Sequence, residues 1–250
     1  MESNKTTALV LRKIHYGESD AVVTFLNDDG KRFSGFAKGE AVSQKRFGGS
    51  LDLFNTVGLV YQKGKEEMIR LSSAEIVSSM PALRTELSKF AAACYFSELV
   101  LSFLHDNETV VSLYDVFTSF LKTLNDDPAF KPHLIPLMEH QMLHLFGYKP
   151  ELASCIQCQT PLTSEKKYFF QGAKGGVVCS GCAPAQTNYP ITYLGLQQML
   201  AGFEMPPNEW GSLDWTSDDV HNARSAFEYF IQYTAGKPLK SLTFLSQILA

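Results

Sequence analysis

Along the first eighty residues apolar and polar side chains alternate with a period of two, the spacing of half-buried strands. Thr7–Ile14 is β-branched and aliphatic, and Asp20–Leu26 alternates around Val22 and Val23. Asn27-Asp28-Asp29-Gly30 supplies a hairpin turn before Lys31–Ala37, because these residue types tolerate the backbone of a tight turn. A longer strand is expected over Leu51–Gln62 after the Gly48-Gly49 break, and a last one over Met68–Val77 beyond a Lys63-Gly64-Lys65 turn. Five short antiparallel strands in so short a stretch suit a small closed barrel of the OB type.

At Met80-Pro81 the period changes to about 3.6, which marks a domain boundary. The expected class is α+β with two domains, an OB barrel over residues 1–80 and an α-helical domain over 81–250. Pro81 fits the first turn of a helix, and Leu83, Leu87, Phe90, Ala91, Cys94, Tyr95, Leu99 and Phe103 repeat on one broad face. Further helices are expected at Val111–Leu124, Lys131–Phe146, Leu194–Phe203, Asp218–Thr234 and Ser241–Leu249. A cysteine knuckle at about residues 152–185 interrupts them between the third and the fourth.

That knuckle holds two couplets, Cys155-Ile-Gln-Cys158 and Cys179-Ser-Gly-Cys182, separated by twenty residues. Four thiolates so spaced can close as a tetrahedron around one zinc, and a closed all-sulfur site leaves no position for water or substrate. The zinc expected here is therefore structural, one per chain. Two disulfides or a redox dithiol are the alternatives. The opening Met1-Glu2-Ser3-Asn4-Lys5 is polar and no apolar signal segment precedes the alternating strand, so a cytoplasmic location is expected, where disulfides are rare. Cys94 sits among Ala91, Ala92, Ala93, Tyr95 and Phe96 and reads as a small helix-core residue.

The chain has 250 residues, 45% hydrophobic and 19% charged, enough to bury a sizeable core. Its formal net charge of −4 argues weakly against nucleic acid, but the total hides an asymmetry. Residues 31–47 carry five basic side chains (Lys31, Arg32, Lys38, Lys45, Arg46) against the single acid Glu40. A focused basic patch attracts phosphates even when the whole molecule repels them. Alternation in the third strand places Arg32, Phe36 and Lys38 on one face, cations beside an aromatic plane, which is the chemistry single-stranded nucleic acid needs. The plain alternative is that Phe36 caps the barrel and the lysines solubilise it. The loop Lys38–Gly49, with glycine at both ends, Ser43 and the Lys45-Arg46 couplet, can offer backbone N–H groups and positive charge to a phosphate run.

Enzyme signatures are absent from the sequence. There is no P-loop order, no dinucleotide fingerprint and no Gly-x-Ser-x-Gly elbow. His140 and His144 stand four apart on an expected helix, but Gln141 occupies the place of a metalloprotease base, and both histidines read as structural.

Taken together, Leu9-Val10-Leu11-Arg12, Tyr16-Gly17-Glu18-Ser19-Asp20, Ala37-Lys38-Gly39, Arg46-Phe47-Gly48-Gly49, Leu51-Asp52-Leu53-Phe54, Phe146-Gly147-Tyr148-Lys149-Pro150-Glu151-Leu152, the cysteine couplets and Gly236-Lys237-Pro238-Leu239-Lys240-Ser241 form an ordered set. In that order and spacing the chain resembles the bacterial recombination-mediator and DNA-repair family RecO. The resemblance implies an N-terminal OB barrel and an α-helical C-terminal domain with an inserted zinc knuckle. It implies binding of single- and double-stranded DNA, annealing of complementary strands, and work with RecR in helping RecA replace single-strand-binding protein, whose acidic C-terminal tail docks on the helical domain. The place of work so implied is the cytoplasm, at the nucleoid. Lys31, Lys38, Lys45 and Arg46 match the family's basic DNA-binding stretch; Cys155, Cys158, Cys179 and Cys182 match its zinc ligands. Two positions depart from the pattern, Glu40-Ala41-Val42 and Leu242, where the family usually carries basic residues.

The leading expectation is a non-enzymatic DNA-binding adaptor with Lys31, Arg32, Phe36, Lys38, Lys45 and Arg46 on the barrel. The rivals are a zinc-containing protein-interaction scaffold with little DNA binding, and a zinc-dependent enzyme using His140 or His144.

Overall fold

The computed structural model describes residues 3–63, 68–184 and 189–249. These form two compact units, Met1–Asp126 and Asp127–Ala250. The α+β class is present: a closed five-stranded barrel, seven helices among the described residues, and a small sheet carrying the cysteines. No helix among them is long and apolar enough to cross a membrane.

In the first unit β1 (Asn4–Tyr16), β2 (Asp20–Asn27), β3 (Arg32–Ala37), β4 (Thr56–Gln62) and β5 (Ile69–Ser78) close in the order β1-β2-β3-β5-β4. A bulge between Val10 and Arg12 lets β1 bend and pair β4 with its first half and β2 with its second. The expectation of an all-antiparallel set fails at one place: β3 and β5 close the barrel in parallel, through Gly35 with Ile69 and Phe36 with Arg70. Gly35 permits that close approach, since a Cβ there would lie 2.9 Å from Leu71 Cδ2. Of the expected Lys63-Gly64-Lys65 turn, Gly64 and Lys65 lie outside the described residues.

The barrel interior is apolar, filled by Val10, Val23, Phe25, Phe33, Val57 and Leu59. Phe47 and Leu51, from the long loop between β3 and β4, join that core. Burial of these side chains explains why the strand expected from Leu51 begins only at Thr56: Leu51–Asn55 turns inward, with Phe54 in a left-handed conformation and fully buried.

The single helix expected after Pro81 is two, α1 (Ala82–Thr85) and α2 (Leu87–Phe103), broken at extended Glu86. Both flanks of α1 are tied. Arg84 donates to the Leu53 carbonyl and Asn55 Oδ1 at 2.9 and 2.6 Å, and the Ala82 N–H donates to Asn125 Oδ1 at 3.1 Å, at the end of α3 (Leu113–Asp126). Helix α2 is buried nearly all round, from Ala91, Ala92 and Ala93 to Tyr95, Phe96, Leu99 and Val100, instead of along one face.

The second unit begins with α4 (Leu134–Leu145), again buried on most sides. The knuckle sheet follows, β6 (Tyr168–Gln171), β7 (Gly176–Cys179) and β8 (Pro190–Ile191), in the order β7-β6-β8. Three helices complete it, α5 (Tyr193–Glu204), α6 (Ser217–Ala235) and α7 (Lys240–Ile248). Thr216 and Asp219 form a reciprocal capping box at the start of α6, and Asp219 also accepts from the Thr192 hydroxyl that caps α5. Trp210 is fully buried and donates to the Gly202 and Met205 carbonyls at 2.8 and 3.1 Å.

Candidate nucleic-acid interface and metal centre

The alternation of β3 is realised. Phe33, Gly35 and Ala37 face inward, while Arg32, Ser34 and Phe36 face outward and are half-buried. The six expected DNA-binding residues nevertheless occupy two different situations. Lys38 and Lys45 are exposed, Lys31 is half-buried, and Phe36 meets the edge of Tyr16 with ring centroids 6.0 Å apart. Arg32 instead turns toward the segment after α2: its Nε lies 2.7 Å from Asp106 Oδ1, and its Nη1 donates to the Leu101 carbonyl at 3.0 Å and to that of Leu104. Arg46 clamps its own loop, donating to Ser43 Oγ at 2.8 Å and to the Lys38 carbonyl at 2.7 Å, over the Phe47 ring.

The loop's backbone N–H groups are also engaged. Gly39 donates to Asp20 Oδ1 at 2.7 Å, Ala41 to the Ser19 carbonyl, and Ser43, Arg46 and Phe47 close turns within the loop. Five of the loop's N–H groups, those of Gly39, Ala41, Ser43, Arg46 and Phe47, are thus spent on holding the loop and are not offered to a phosphate. Glu40, the acid that interrupts the basic stretch, is buried and lies 3.2 Å from Lys13 Nζ, which also meets Asp52 at 3.1 Å. Burial pulls the Lys13 ammonium down, but its hydrogen bonds to Asp52 and Glu40 outweigh that and leave its pKa raised. Leu242, the second departure, is a buried core residue of α7.

Register adds residues that the sequence pattern did not assemble. Ile14 pairs Val22, Val22 pairs Phe36, and Phe36 pairs Arg70, so one row crosses four strands on the outer face. Tyr16 stands two residues from Ile14 and is 64% exposed beside Phe36. Arg12, two residues the other way, lies about 7 Å along the strand. Among the described residues the side chains of Arg12, Lys38, Lys45 and Arg70 form no ion pair, and all four are exposed. Alternation of Arg12, Ile14 and Tyr16 was legible as one face of β1; that this face abuts Phe36 was not.

In the knuckle each couplet sits in a tight turn. Gln159 N–H donates to the Cys155 carbonyl at 2.7 Å, and Cys182 N–H to that of Cys179 at 2.9 Å. The β6–β7 ladder then brings the turns together, with Tyr168 opposite Cys179. The four sulfurs lie within 4.8 Å of one another, with Cys158 Sγ and Cys179 Sγ 3.9 Å apart. Sulfurs about 2.3 Å from a common tetrahedral centre stand about 3.8 Å apart, so the set fits one metal ion. The Cys179 N–H points at Cys155 Sγ at 3.4 Å, a donor placed for a thiolate. The Thr160 hydroxyl, 2.9 Å away, helps hold the Cys158 thiol down at about 6, and the sulfur of Cys158 pushes Cys182 up to about 12. Cys94 lies elsewhere, on α2 of the first unit, where burial pushes its thiol up to about 11.

His140 and His144 do not join the cysteines in a metal-ligating group. Both rings pack on Phe203, at 4.7 and 5.0 Å, and His140 is buried.

Residues 1–80 match the family model "Recombination protein O N terminal", and residues 84–243 match "Recombination protein O C terminal". The chain belongs to the RecO family. DNA repair protein RecO of Anaeromyxobacter dehalogenans (strain 2CP-C) is 31% identical over 99% of this chain and 98% of its own length. The RecO proteins of Geobacter metallireducens and Syntrophus aciditrophicus are 30% and 28% identical, over 99% and 98% of this chain and 99% and 96% of their own lengths. Membership in RecO supports a role in DNA repair and recombination.

Proposed function

We propose that this RecO chain is a non-enzymatic DNA-binding recombination mediator whose barrel, residues 1–80, holds DNA. The observation that carries the reading is the outer row Ile14–Val22–Phe36–Arg70, topped by Tyr16 and flanked by Arg12 and Lys38, on a chain whose net charge is −4. Unpaired cations around an aromatic pair take phosphates and a base together, and the outer surface of strands 2 and 3 is where OB folds bind oligonucleotides. Phe36, Lys38 and Lys45 make contact, with Lys31 at the margin, while Arg32 and Arg46 shape the strand and loop that present them. Annealing needs no acid or base: strands whose phosphates are neutralised side by side pair spontaneously.

In this reading the helical part, residues 81–250, recruits partners: RecR, and the acidic C-terminal tail of single-strand-binding protein, so that RecA is loaded onto DNA in the cytoplasm at the nucleoid. Cys155, Cys158, Cys179 and Cys182 would hold one zinc, supported by the all-thiol donor set. The ion would fix the two turns and β7; with four sulfurs around it, it offers no open position for chemistry.

The test is anisotropy of a labelled single strand across a salt titration. The parent should bind with a steep log–log slope, and Arg12→Ala/Lys38→Ala/Arg70→Ala should flatten it by about 2, at about 0.7 per contact. Equal slopes for parent and triple variant remove the barrel face from the DNA path.

A further inference from the structure

The second unit carries a row of three tyrosine rings that neither the barrel face nor the metal centre uses. Tyr189, just before β8, stacks on Tyr229 of α6 with ring centroids 4.8 Å apart and planes 25° from parallel. Tyr229 stacks in turn on Tyr233, one helical turn further, at 6.3 Å and again 25°. Such a row inside a core would be ordinary packing; here Tyr229 is 37% and Tyr233 57% exposed. The row is also held in place. A Cβ on Gly172 would lie 2.4 Å from Tyr229 Cδ1, so the glycine backbone presses directly on that ring. Rings set before binding lose little freedom on binding.

Charge selects the occupant. Lys174 ends the short turn that begins at Gly172, and Lys237 follows the left-handed Gly236 cap of α6, four residues after Tyr233. Both lysines are exposed, and neither forms an ion pair among the described residues. Glu228, the acid beside Tyr229 in the chain, accepts hydrogen bonds from the Gln232 amide and the Ser246 hydroxyl and keeps its charge, so the cations have to outweigh one carboxylate. Near-parallel planes with an exposed ring at the end, on chain segments that carry the unpaired cations Lys174 and Lys237, match flat bases strung on phosphates. A peptide of acidic residues alone would use the cations but has no aromatic planes to continue the stack.

We propose that Tyr233, backed by Tyr229 and Tyr189, is a base-stacking face for single-stranded nucleic acid on the second unit, separate from the barrel. This rests on the DNA-binding reading above and adds a second contact to it.

The full chain is titrated onto fluorescein-labelled oligothymidylate of about 20 nucleotides and onto duplex of the same length. Tyr233→Ala should weaken single-strand binding about tenfold, the loss of one stacked base. The salt slope should not change, because no phosphate contact is removed. Duplex binding should be unaffected and Tyr233→Phe should match the parent, since paired bases offer no free plane and phenylalanine keeps the ring. Alanine is a strong helix former, so the variant should fold, which a thermal melt verifies. Unchanged single-strand binding by Tyr233→Ala overturns the stacking face and leaves the barrel reading intact. No binding by the parent overturns both. An equal loss on single strand and duplex also overturns it.

Discussion

Arg32 of β3 is bound to Asp106, 2.7 Å from Nε to Oδ1, in the segment that follows α2. The same guanidinium reaches the Leu101 and Leu104 carbonyls, and the backbones of Arg32, Asn107 and Glu108 exchange hydrogen bonds beside it. A residue that composition places in a basic DNA-binding stretch thus closes a structural joint.

That joint separates two kinds of basic residue by experiment. Arg32→Ala should cost about 2 kcal/mol, because it strands a carboxylate and two carbonyls, and should leave the salt dependence of DNA binding unchanged. Lys38→Ala should do the reverse, flattening the slope by about 0.7 while shifting stability by less than about 0.5 kcal/mol. Urea unfolding and anisotropy on the same two variants check this.

Lys13 sits between Glu40 and Asp52 and pins the loop that carries Lys38 and Lys45. Lys13→Met should leave buried Glu40 without a counter-charge and lower the stability of the intact protein by about 2 kcal/mol. Pairing with Glu40→Leu should recover much of the loss, since removing both partners leaves no orphaned charge. A double-mutant cycle in urea measures the coupling.

His140 should make the protein acid-sensitive. Burial against Phe203 and Phe227 pushes its imidazole down to about 4, so the folded chain keeps it neutral where the unfolded chain, near 6.5, takes a proton. The unfolded state then binds more protons between these values, and stability falls as pH drops from about 6.5 toward 4. The loss should approach about 3 kcal/mol, and His140→Phe should flatten that part of the curve. Thermal melts from pH 7 to pH 4.5 test it.

Metal loading of the knuckle should release protons, because thiols bind zinc only as thiolates. The sulfur of Cys158 pushes the Cys182 thiol up, so the four-cysteine group still holds protons at neutral pH and gives them up to the ion. Calorimetry of zinc binding in two buffers of different ionisation enthalpy should show that release. Cys179→Ser should bind zinc far more weakly and lose amide protection in β6 and β7, with the first unit's barrel unchanged.

Much of the fold was legible because its signals are local. Period-two runs located all five barrel strands within a few residues, and the Asn27–Gly30 turn joined the second to the third. The two couplets announced the metal-binding group because each lies in one tight turn. Errors came where distant packing overrode pattern. Phe47, Leu51 and Phe54 look like strand or loop surface in sequence yet fill the barrel's core and its margin, and Glu86 breaks a helix whose apolar period runs straight through it.

The candidate DNA face shows the same division. Alternation alone determined that Arg32 and Phe36 share the outer side of β3, and that Arg12, Ile14 and Tyr16 share a side of β1, because a strand's side-chain period is set by its backbone. Which of these sides meet was decided by strand register and by the parallel closure that sets Arg70 beside Phe36. Whether a basic residue stays free for phosphate was decided by partners far along the chain, Asp106 for Arg32, with Lys13 held by Glu40 and Asp52. The stacking of Tyr189 on Tyr229 likewise depends on packing between chain segments far apart in sequence. Residue type and spacing specify what a side chain can do; burial and charge pairing arise only when remote segments come together, and they decide what it does.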